Sequence, residues 1–180
     1  MPDNDWISQQ LHLLLTAYGY NLYNSVNRAR ADDLLVRERA SGYLGEAVNA
    51  LTRLAADYTA RCLPPSTREQ PFPPPEKMAA LRQIESLSSD ISQLSSRIRG
   101  LSAPAQDRTW ARFREEATTL HYLLSCDYFL ITQSEAVLQY VQHLTAEGWT
   151  EAQAAEARAL LQKVEQTARD RERFLLQGVV

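Results

Sequence analysis

The spacing of six residues constrains this chain more than any other feature of its sequence. Ile84, Leu87, Ile91, Leu94, Ile98 and Leu101 recur at steps of 3-4-3-4-3, with isoleucine at every a and leucine at every d position of a heptad. A strand would throw alternate side chains to opposite faces, whereas an α-helix lines these six up on one. Serines at 86, 88, 89, 92, 95 and 96 cover the other faces and are middling helix formers, so this segment depends on a packing partner to stay folded. Two partners satisfy it. Helices of the same chain are favoured because three heptads are short, while a second copy in a homodimer fits the preference of Ile at a and Leu at d for two parallel strands.

The rest of the chain follows the same period, with only six glycines and no alternating valine-rich run. A first helix is expected from about Trp6 to Ala29, capped by Asn4 or Asp5. Its stripe is Ile7, Leu11, Leu14, Tyr18, Leu22 and Val26, mildly interrupted at Gly19. The pair Asp32-Asp33 then restarts or bends the rod, with the acids at the positive end of the helix dipole, and Val36, Ala40, Leu44, Val48, Leu51, Ala55, Tyr58 and Cys62 form the next stripe. Residues 64–75, PPSTREQPFPPP, hold six of the eight prolines and must be non-helical, because proline lacks the amide hydrogen and pushes its predecessor out of the α region. They are expected to be the one long non-helical segment, with Phe72 folded back on the bundle.

After the heptad segment, Pro104 is expected to open a long helix at Ala105 that runs to Ala146, either unbroken or bent at Cys126-Asp127. Its broad stripe, from Trp110 and Phe113 through Leu124 and Ile131 to Val141, belongs to a helix touched on two sides. Thr150-Glu151-Ala152-Gln153 reads as a capping box that starts the last helix. That helix is expected to be peripheral, since its stripe (Ala157, Leu161, Val164, Ala168, Leu175) is thin and the run Arg169 to Arg173 reads as solvated. The fold expected is all-α: an antiparallel bundle of four or five long helices. Residues 1–63 supply an N-terminal hairpin or bent helix, 64–75 the linker, and 76–180 the helices that complete a single bundle.

Charge is nearly balanced at −3, with 17 Arg and two Lys, so no general nucleic-acid-binding face is indicated. No apolar run reaches the roughly 20 residues of a membrane span, and acids stand where a secretory signal would carry basic residues; the expected location is cytoplasmic. Cys62 and Cys126 lack CxxC spacing, and His12, His121 and His143 neither pair with one another at i,i+3 or i,i+4 nor complete a Glu-x-x-His signature, so no metal or cofactor is expected.

Three smaller patterns carry functional alternatives. Arg114-Glu115 followed by His121 is an Arg-x6-His spacing that resembles the active-site motif of HEPN-fold ribonucleases, which would imply RNA cleavage at a dimer interface by Arg114 and His121. Tyr18, Tyr20 and Tyr23 around Gly19 could line a cleft for an apolar ligand. Arg68 with Pro71 and Pro74 fits a PxxP motif, though a semi-rigid spacer explains the same prolines. The leading expectation is non-catalytic: a helical-bundle module that binds a protein partner or itself, as an adaptor, assembly or chaperone-like factor. The alternatives are the HEPN-like nuclease and an apolar-ligand or surface-binding bundle.

Overall fold

A computed structural model describes residues 5–22, 26–65, 68, 72–104, 110–111 and 116–177. They form α1 (Asp5–Thr16), α2 (Val26–Cys62), α3 (Pro75–Arg99), α4 (Ala117–Gln142) and α5 (Glu151–Gln177), and no strand occurs among them. The protein is all-α, and its helices pack as a bundle.

The ends of these helices follow from local chemistry. Pro75 begins α3 at a position whose amide has no intrahelical partner, and the Pro74 carbonyl accepts from Lys77 and Met78 at 3.1 Å. Gly100 ends it. The capping box at α5 forms as the sequence implies: Gln153 N donates to Thr150 Oγ1 at 3.3 Å, and Thr150 N donates to Gln153 Oε1 at 3.0 Å.

The first helix is shorter than its apolar period suggests. It ends at Thr16, and Gly19 (φ 95°) and Leu22 (φ 54°) both take left-handed backbone, a conformation that closes a turn and cannot continue a helix. The next helix begins at Val26, so Asp32 and Asp33 lie inside α2 and do not start it. The face of α1 also differs from the expected stripe. Leu13, Ala17 and Tyr20 are buried, whereas Leu11, Leu14 and Tyr18 are exposed and Leu22 is partly buried. The side chains of Ile7 and Val26 lie outside the described residues.

The connection after α3 is the second departure. Residues 101–104 are non-helical, Glu116 is extended, and α4 begins at Ala117 and ends at Gln142 instead of spanning Ala105 to Ala146. Among the described residues helix is therefore also interrupted at 101–104 and 116, outside the Pro-rich linker. Phe72 within it is exposed, not folded back. Trp110, in the connection, is fully buried, and its Nε1 donates to the Pro104 carbonyl at 2.9 Å. α4 itself passes through Cys126 and Asp127 without a break.

Neighbours in the bundle are α2 with α3, α2 with α4, α4 with α5 and α3 with α5, while α1 lies on α4. The ring order is thus α2–α3–α5–α4. Within each hairpin the helices are antiparallel: Ser41 meets Ser95 at one end of the first and Cys62 meets Lys77 at the other, while in the second Gln133 meets Thr167 and Tyr140 meets Glu156. The two hairpins pack side by side with parallel contacts, as Asp90 pairs with Arg158 and, two turns on, Arg97 pairs with Glu165. This order places α3 and α4 on a diagonal. The ends of α3 and α4 that the chain joins are therefore roughly 14 Å apart for helices about 10 Å apart along each side.

All six heptad residues, Ile84, Leu87, Ile91, Leu94, Ile98 and Leu101, are buried within this chain. α4 has a buried arc that includes Leu123, Leu124, Leu130, Ile131, Val137 and Leu138, consistent with its contacts to α1, α2 and α5. α5 is not peripheral. It completes the ring, and one member of its charge run, Arg171, is only 1% exposed.

Candidate functional site

Ion-pair geometry makes the interior around Arg171 the most distinctive site of the described residues. Its Nε donates to Asp127 Oδ1 at 2.5 Å and its Nη1 to Asp33 Oδ1 at 2.7 Å. Asp127 Oδ2 accepts from the Tyr20 hydroxyl at 2.6 Å, and Asp33 Oδ2 accepts from Arg37 at 2.6 Å. Arg37 also donates to the carbonyls of Arg99, the last residue of α3, and Leu101 just beyond it, at 3.2 and 2.7 Å. Asp32, fully buried, takes the Asn21 amide at 2.9 Å. One network therefore ties α2, α4 and α5, the end of α3, and the turn that follows α1.

Its position explains the choice of arginine. α2 and α5 are diagonal in the ring, and among described residues their backbones do not touch, so a bond from α5 to Asp33 needs a long side chain that crosses the bundle axis. The planar guanidinium can serve two carboxylates at once from such a position, which a lysine ammonium does less well. Buried charges of both signs then neutralise one another locally, as removal from water requires.

Chemically the cluster is quiescent. Each carboxylate of Asp33 and Asp127 is held by a cationic donor, so neither stands ready as a general base in this geometry. Burial, with the negative charge of Asp127 adding to it, pushes the adjacent Cys126 thiol up to about 11. A thiol in that state is a poor nucleophile near neutral pH.

The other sequence candidates are dispersed. His121 lies on the first turns of α4 and is exposed, whereas Arg114 and Glu115 lie outside the described residues, as do Phe113, Tyr23 and Pro71. His12 packs edge-on against Tyr128, with ring centroids 5.4 Å apart, and His143 caps the far end of α4. Tyr18 faces solvent while Tyr20 binds Asp127 in the interior, so these two do not line one cleft.

The described surface has shallow grooves. One of about 410 Å³ runs between the end of α1 and α2, beside Tyr18, Leu35, Glu38, Gly42 and Tyr43. Another, of about 340 Å³, lies between α3 and α5 over Leu94 and Leu161, rimmed by Asp90, Arg97, Arg158 and Glu165. Large apolar side chains are exposed on α1 and the turn after it: Leu15 is 76% exposed and Tyr18 96%, with Leu11 and Leu14 beside them. No family model, curated protein or solved structure matches this chain.

Proposed function

We propose that the protein is a non-catalytic interaction module that binds another protein through the outer face of α1. The observation that carries this reading is the exposure of Leu11, Leu14 and Leu15, at i, i+3 and i+4, with Tyr18 in the turn just beyond. That spacing suits an amphipathic helix laid into an apolar groove of a partner. Exposing four large apolar side chains within one short segment has a cost in solubility that a binding role would justify.

A protein partner fits better than an anionic membrane surface. No Lys or Arg precedes Arg28, and helices that lie on such surfaces carry basic residues around their apolar face. Among the described residues no helix is long and apolar enough to cross a membrane.

The test is recovery of partners from the source cell by wild-type protein and by the Leu15→Asp and Tyr18→Ser variants, after checking that all three melt together. The reading expects a specific set of proteins that the wild type retains and both variants lose. Identical recoveries from all three would remove it.

A further inference from the structure

We infer that Asp127 couples the two ends of the chain, so that the α1 unit (residues 5–22) and the last turns of α5 dock and undock together. The carboxylate is shared. Its Oδ2 accepts from Tyr20 in the turn after α1, and its Oδ1 accepts from Arg171 near the end of α5.

Each end has further attachments: at one the Asn21 amide donates to Asp32 and His12 packs on Tyr128, and at the other the Ser102 amide donates to Glu172. α1 packs on α4 alone among the described helices, and of the side chains described in its unit Leu13, Ala17 and Tyr20 are buried. The end of α5 is fixed by Ala168, Arg171 and Leu175, with Phe174 laid on Tyr122 of α4 at 4.5 Å between ring centroids. The α2–α3 hairpin holds itself through a continuous buried seam from Ile84 to Ile98 on α3, packed on α2, whose Leu44, Leu51 and Tyr58 belong to the same core.

The coupling has a definite sign. Hydrogen bonds to an ion are strong while the cluster is dry, and each closed bond keeps water from the other. If Tyr20 leaves, water reaches Asp127 and competes with Arg171, and the ion pair falls toward the small worth of a solvated one. If Arg171 leaves, Asp127 and Asp33 lose a shared cation and draw water into the site that Tyr20 caps. Each departure therefore makes the other easier, and anything that holds α1 closed also holds the end of α5.

Hydrogen exchange followed by mass spectrometry on the full chain tests this, with Tyr20→Phe as the main variant because it removes one hydroxyl and keeps the ring. Exchange in residues 168–177 is expected to accelerate together with that in 9–22, by about tenfold, the weight of one charge-assisted hydrogen bond. Residues 44–58 and 84–98 should exchange at wild-type rates. Arg171→Met should in turn accelerate residues 9–22. Faster exchange of Tyr20→Phe confined to 9–22, no change at all, or uniform acceleration through α2 and α3 would each overturn the inference. Should Arg171→Met fail to fold, the Tyr20→Phe result alone decides.

Discussion

A guanidinium held between two buried carboxylates contributes little net stability, because stripping three ions of water offsets most of their attraction. Removing one member is another matter, since it strands the rest. Arg171→Ala should therefore cost about 3–5 kcal/mol in denaturant unfolding, while Arg173→Ala, two positions on and largely exposed, leaves the midpoint unchanged. Cys126 gives a pH signature at the same locus. Its thiol titrates near 9 when unfolded and near 11 when folded, so its contribution is intact below pH 9 and is lost as pH rises toward 11. The loss approaches about 2–3 kcal/mol. Unfolding midpoints of wild type and Cys126→Ala at pH 8, 9.5 and 11 should show a flatter decline for the variant; parallel curves would mean the thiol is not desolvated. These polar residues were legible by position and obscured by type. Asp33 sits three residues before Val36, Asp127 between Leu123-Leu124 and Leu130-Ile131, and Arg171 between Ala168 and Leu175, all on buried stripes. A charge on a stripe reads as an interruption in one helix alone. Only the juxtaposition of three helices shows that the charges compensate.

At the scale of elements, α1 shows where periodicity stops deciding. Its core is LHLLLTAY, apolar on several sides, so the set Leu11, Leu14, Tyr18 and the set Leu13, Ala17, Tyr20 fit a helical face equally well. Packing on α4 selects the second. Leu13→Ala should cost about 2–5 kcal/mol and Leu14→Ala under about 1 kcal/mol, measured by urea titration. Glycines in α2 offer the opposite test. A methyl added at Gly42 or Gly45 meets nothing within 4 Å, and both lie mid-helix, so alanine at either should stabilise by up to about 1 kcal/mol. The heptad of α3 was legible outright, because its polar faces are unmistakable and only one stripe could be buried. The start of α4 was not, as Trp110 keeps the apolar rhythm going ahead of a helix that begins only after the extended Glu116.

For the molecule as a whole, the heptad seam belongs to the bundle interior. Ile91→Asp should lower stability by more than about 4 kcal/mol with no change of mass in solution, read by a thermal melt and light scattering. The ring order carries a different implication. Each hairpin is built from neighbours in sequence, and the hairpins meet along two parallel seams and the Arg171 bridge, with a single stretch of chain joining them. A polypeptide laid out in this way is divisible. Two pieces severed in the connection between Leu101 and Trp110, produced in the same cell, should find each other and restore the fold. They would not meet merely face to face: α1, carried by the first piece, would clasp α4 of the second, so that reassembly is also an embrace by the leading segment of one piece around the other.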